Sequence, residues 1–116
     1  MKNEFKITSN YSFREDLLTV VISNDSNRGK EIELDDNFNL VFNNEGIPLF
    51  LEINNASNVF NVKKLILKNI FNIDIIINVE EDIISLNSIF ILTEHNKKKE
   101  YNFNFEIANS KNIPKQ

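Results

Sequence analysis

The chain has no cysteine and no tryptophan, and only one histidine, two glycines and two prolines in 116 residues. Each shortage excludes something. Without cysteine there is no disulfide framework, no thiol nucleophile and no thiolate metal site. One histidine cannot build a His-rich zinc site, and a Ser-His-Asp triad would have to rest on His95 alone. Two glycines cannot spell a Walker loop, a dinucleotide Gly motif or a nucleophile elbow. No cofactor is therefore expected. No stretch approaches about eighteen uncharged apolar residues, so no transmembrane helix is expected. The opening residues, MKNEFKITSNYSFREDLLTV, carry charges throughout and hold no signal-peptide run, which makes a cytoplasmic location the default. Positive charge is also short, with 13 Lys and Arg against 17 Asp and Glu, a formal net charge of −4. That argues against a nucleic-acid partner, since phosphate contact needs a basic face.

What remains is a globular composition, with 41% hydrophobic and 26% charged residues, biased toward particular types. Asn occurs 21 times, Ile 17 times and Phe 10 times, while Ala occurs twice. Scarce Ala and abundant β-branched residues disfavour long helices, and Ile, Val and Phe favour strands. With so little Gly and Pro, Asn and Asp must supply most turns.

Phe5 and Ile7 alternate with polar neighbours and predict a first short strand, followed by a polar connection from Ser9 to Glu15. Leu17 to Ile22 reads as a largely buried strand with Leu18, Val20 and Ile22 on one face. Ser23 to Lys30 is a turn. Glu31 to Leu34 reads as a short edge strand, and Phe38 to Phe42 as a strand with Phe38, Leu40 and Phe42 on one face. Asn43-Asn44-Glu45-Gly46 fits a hairpin turn, with Gly46 at the left-handed position. Ile47 to Ile53 returns as a strand, and Pro48 places its start at an edge or strand end. Between Ser57 and Lys68 the apolar spacing predicts one or two short helical turns that must pack on the sheet.

The last third alternates most clearly. Phe71, Ile73, Ile75, Ile77 and Val79 occupy every second position. Glu80-Glu81-Asp82 is an acidic turn. Ile83 to Glu94 is a long strand whose middle, with Ile89 and Ile91 opposite Phe90 and Leu92, reads as buried on both faces. His95 to Lys99 reads as a basic loop, and Tyr101, Phe103, Phe105 and Ile107 as a third strand. The fold class expected is α+β, mainly β: antiparallel meander sheets with a short helical connector. The parts are a β unit over 1–57, a connector over 58–69, a three-strand meander over 70–108 and a polar tail over 109–116, within one compact domain. The pattern leaves open whether the two β segments share one sheet.

Tyr11 and Asp16 stand five apart, Leu18, Val20 and Ile22 follow on one face, Gly46 sits in a hairpin turn, and Glu52-Ile53 is followed by Ala56-Ser57. In this order and spacing the stretch Tyr11 to Ser57 resembles the small prokaryotic family called domain of unknown function 2283. Ser12 stands where the family often has Asp, and Asn43 and Asn44 where it often has a turn Asp. The part after Phe60 is similar, more loosely, to longer members with a second strand-rich segment. The resemblance implies a small β-rich fold and no established activity or catalytic residues. Its genomic association with small toxin-like neighbours implies, at most, an antitoxin-like partnership.

The candidate site residues are Tyr11, Asp16, Glu52 and His95. Asp16 is either an acid in a cleft or a turn residue whose carboxylate accepts backbone N–H bonds. Glu52 is either a carboxylate paired with Asp16 for acid–base work or a solvent-facing strand residue. His95 has no second metal ligand or orienting partner nearby and reads as a turn residue. Asp25-x-Asn27-x-Gly29 spells only a fragment of a calcium loop. The function expected is a non-catalytic protein-interaction or binding module, with a homodimer or a small protein as partner. The alternatives are the antitoxin-like partnership and a cryptic site on Asp16 and Glu52.

Overall fold

Alternation of large apolar and polar residues decides most of this architecture. The computed structural model describes residues 7–24 and 27–115. In chain order its elements are β1 (Thr8–Ser12), β2 (Leu17–Val21), β3 (Arg28–Glu33), β4 (Phe38–Asn43), β5 (Pro48–Ile53), a short helix α1 (Ala56–Phe60), a 3-10 segment (Lys64–Lys68), β6 (Ile70–Val79), β7 (Ile83–Glu94) and β8 (Lys97–Ala108). The fold is α+β and mainly antiparallel sheet, as the patterning predicts.

The strands form two sheets, ordered β1-β2-β5-β4-β3 and β6-β7-β8. The second is a plain meander. In the first, β3, β4 and β5 make a meander and β2 pairs with β5 instead of β3, which is a Greek-key arrangement. Pro48 is thus at a strand end within a central strand. Its missing N–H coincides with a bulge, where Phe42 pairs with Pro48 after Val41 has paired with Phe50.

The inner faces meet in one apolar cluster. Leu18, Val20, Phe38, Leu40, Phe42, Leu51 and Ile53 from the first sheet join Ile84, Leu86, Phe90 and Leu92 from β7. Phe60 of α1 reaches across, with its ring 5.2 Å from Phe90, 5.4 Å from Tyr101 and 5.0 Å from Phe103. Phe38 lies 5.1 Å from Phe103 and 4.8 Å from Phe105. Such tilted and edge-on pairs add to simple area burial.

Several details differ from the sequence reading. β1 occupies Thr8–Ser12, so all of it but Thr8 lies inside the stretch Ser9 to Glu15 read as a connection. It is an edge strand with Thr8, Ser9 and Asn10 exposed, so main-chain pairing to β2 holds it and no apolar alternation announces it. Phe5 and Asp25 lie outside the described residues. β3 starts at Arg28 because a bulge between Arg28 and Lys30 lets the chain keep pairing with β4. Gly29 permits this: a Cβ there would lie 2.6 Å from the Asn43 carbonyl carbon. A third bulge, between Ile70 and Asn72, throws Phe71 out of the alternation, leaving it 60% exposed. Ile89 is 38% exposed, so the middle of β7 is covered on its inner face alone. The basic loop shrinks to His95-Asn96. Both have left-handed φ (52° and 62°), as a two-residue primed turn requires, and Lys97 to Lys99 belong to β8. The polar tail has an anchor. The Asn109 amide donates to the Glu80 and Ile113 carbonyls and accepts from Ile113 N–H, and Ile113 is buried.

Candidate functional site

Asp16 closes the loop between β1 and β2 in a left-handed conformation (φ 52°), which Asp tolerates better than most residues. There it meets the start of α1. Asn55, at the N-cap position, is itself left-handed and makes no side-chain cap. The first N–H groups of the helix need other partners. Asp16 supplies them from 40 and 41 residues away. Its main-chain oxygen accepts from Ala56 N–H (3.0 Å), its Oδ1 from Ser57 N–H (3.0 Å), and its Oδ2 from Ser57 Oγ (2.6 Å). Tyr11 Oη donates to the same Oδ1 at 2.6 Å.

The two ionisable groups move in opposite directions. Burial works to raise the Asp16 pKa, but the hydrogen bonds from Ser57 and Tyr11, with the Lys64 charge, hold it below the ordinary carboxylate value. Burial raises the Tyr11 pKa well above its usual value, and the adjacent carboxylate raises it further. A carboxylate held ionised and engaged on both oxygens is a non-local helix cap. It ties the first hairpin to the connector.

Beside this node Phe13 is 49% and Leu65 68% exposed. Lys64 Nζ donates to the Phe13 carbonyl (3.2 Å), and the Lys64 and Lys68 ammonium groups lie 5.4 and 5.8 Å from the Phe13 ring centre.

The structure brings Tyr11 and Asp16 together and adds Ser57. It does not join Glu52 to them. Glu52 faces Thr19 of β2 and Asn39 of β4, on the face opposite the buried Leu51 and Ile53. His95 sits in the exposed β7–β8 turn, at the far end of the hairpin from the acidic Glu80–Asp82 turn. Among the described residues no three His, Cys, Asp or Glu side chains gather as a metal site, and no helix is long and apolar enough to cross a membrane.

A concavity of about 430 Å³ is lined by Glu31, Glu33, Asp35, Asp36, Phe38 and Lys111, among others. Two of its carboxylates are already engaged. Asp35 Oδ1 accepts from Asn37 and Phe38 N–H, both at 2.8 Å. Glu31 accepts from Asn39 (2.7 Å) and Arg28 (2.6 Å), which hold its pKa low.

Among the described residues, the most regular strand edge with no strand paired to it is the outer edge of β8. β7 and β8 pair without a register shift from Ile83↔Ala108 to Glu94↔Lys97. Asn109 N–H donates to the Asp82 carbonyl (2.8 Å), which continues that register by one pair. Bonded pairs in an antiparallel ladder recur at every second residue. Ile107, Phe105, Phe103 and Tyr101 therefore bond to β7. Lys98, Glu100, Asn102, Asn104 and Glu106 turn their N–H and C=O groups toward the open side. The inward side chains Tyr101, Phe103, Phe105 and Ile107 are only half-buried at this edge. The Tyr101 hydroxyl is buried with no partner among the described residues.

No protein-family model, curated protein or solved structure matches the chain.

Proposed function

We propose that the chain is a non-catalytic interaction module that binds another polypeptide along the open edge of β8. One observation carries this reading: among the described residues, the twelve residues of regular strand Lys97–Ala108 pair on one side only. An edge of this length presents a row of unpaired main-chain donors and acceptors, which is the template used in strand addition. The half-buried aromatic row beside it supplies apolar surface that an added strand would cover. The Asp16 carboxylate, whose oxygens hold Ser57 and Tyr11, supports a structural role for that residue rather than acid–base chemistry.

Asn104→Pro tests the reading. Asn104 directs its N–H outward, so proline removes one donor from the open edge and leaves the bonds to β7 intact. The tagged chain and this variant would be used to capture partners from the cell of origin. Partners captured by the parent and lost with the folded variant support the reading. Equal capture by both, or no capture by either, contradicts it.

A further inference from the structure

We infer that the occupant of this edge is a second copy of the same chain, in an antiparallel β8–β8 pairing centred on Asn102. The inference rests on the edge reading above and specifies its partner.

The other strand edges are poorer templates. β1 and β3 are five and six residues long, β3 is interrupted by the Gly29 bulge, and β6 is ten residues long with its register broken by the bulge at Phe71. β8 is longer and has no register shift.

Geometry then restricts the register. Only even-numbered residues of β8 present main-chain groups outward. A two-fold antiparallel pair must therefore set even against even and odd against odd, with the axis on a residue and not between two. Axes near the middle of the strand can be compared by charge. An axis on Phe103 would set Glu100 against Glu106 in both halves, a like-charge cross-strand pair. An axis on Tyr101 would set Lys98 against Asn104 and Glu100 against Asn102, which gains no ion pair. An axis on Asn102 sets Lys98 against Glu106 twice, Glu100 against Asn104, and Asn102 against itself. It keeps overlap from Lys97 to Ile107.

All these even-numbered side chains are exposed on one face. On the other face the same axis sets Tyr101 against Phe103 twice, so the half-buried aromatic rows of the two copies meet. Aromatic and opposite-charge cross-strand pairs are the contacts that stabilise a sheet. In the single molecule the Lys98 ammonium rests 4.0 Å from the Phe71 ring centre. Pairing exchanges that exposed contact for the ion pair with Glu106.

The test combines mass and register. Sedimentation of the untagged chain at high micromolar concentration should report a dimer. Lys98→Glu and Glu106→Lys should each weaken it roughly ten-fold or more. The double variant, which restores opposite charges across the interface, should recover most of the loss.

Register is read by disulfide formation, since the parent has no cysteine. A bonded antiparallel pair has Cα atoms about 5.5 Å apart, within disulfide reach. Asn102→Cys should therefore cross-link to its own copy on mild oxidation, while Asn104→Cys, facing Glu100, should not. A monomer at every concentration overturns the inference, and partner capture that still depends on Asn104 would leave the edge reading standing. A dimer in which the charge swap fails to recover and Asn102→Cys does not cross-link overturns it as well.

Discussion

The two sheets of this protein manage their edges differently. The five-stranded sheet ends in short strands, β1 and β3, one of them bulged and carrying Lys30, Glu31 and Glu33. Bulges and charges are common means of discouraging strand addition. Its first hairpin is further fastened to the connector by Asp16. The three-stranded sheet also has a bulge, at the start of β6, and charged residues along β8, and it differs in the length and unbroken register of that last strand. Its β8 edge is long and regular, its charges are of both signs, and the pairing proposed above sets Lys98 against Glu106. In the reading proposed above, the first sheet ends at its own edges and the second is continued by another chain.

The contrast can be attacked first where the sheets join. Phe60 packs on Phe90, Tyr101 and Phe103 from the connector. Phe60→Ala should cost about 3–5 kcal/mol of stability, seen as a drop in the chemical denaturation midpoint. A loss below about 1 kcal/mol would mean that the sheets are not held together through this ring.

The next largest effect belongs to the Asp16 node. Asp16→Ala removes charge-assisted hydrogen bonds to Ser57 and Tyr11, and should cost about 2–3 kcal/mol at neutral pH. The pH dependence has a definite sign. Asp16 has a lower pKa folded than unfolded, so in acid the unfolded chain binds more protons. The stabilisation is complete above the unfolded value, about 4, and is lost as pH falls through the lower folded value. Asp16→Asn should flatten this acid limb of the stability curve. Tyr11 has the opposite sense: its folded pKa is raised, so its share is lost as pH climbs above about 10. Tyr11→Phe should remove that alkaline limb. Unchanged limbs in both variants would contradict the described node.

The smallest effect is a gain. The Tyr101 hydroxyl is buried with no partner among the described residues, and an unpaired buried polar group is destabilising. Tyr101→Phe should raise stability by about 1 kcal/mol in the same denaturation measurement. A loss would show that the hydroxyl is satisfied.

Much of the fold could be read from residues. The alternation at Ile73, Ile75 and Ile77 and at Tyr101, Phe103 and Phe105 marks strands with one covered face, because a pleated strand shows successive side chains to opposite sides. What alternation could not reveal has physical reasons. β1 is polar because an exposed edge strand needs no apolar face. Phe71 left its row because a bulge is a main-chain event with no fixed residue signature. The start of β8 was hidden by three lysines, whose charge suggests a loop although an edge strand carries lysine comfortably. At the site, Asp16 could be singled out and its backbone-accepting role anticipated. Its partner Ser57 could not be assigned, since the bond spans 41 residues and depends on Asn55 adopting a left-handed conformation that leaves the helix start uncapped. Glu52 lies on the outer face of a central strand, and strand register decided that.

The central claim, that the open edge of β8 is where this molecule meets another chain and that the chain is its own copy, is tested most directly by amide hydrogen exchange. Lys98, Glu100, Asn102, Asn104 and Glu106 should exchange fast in dilute protein and become protected as concentration rises, while Tyr101, Phe103 and Phe105 stay protected throughout. Fast exchange at those five amides at every concentration would contradict the account.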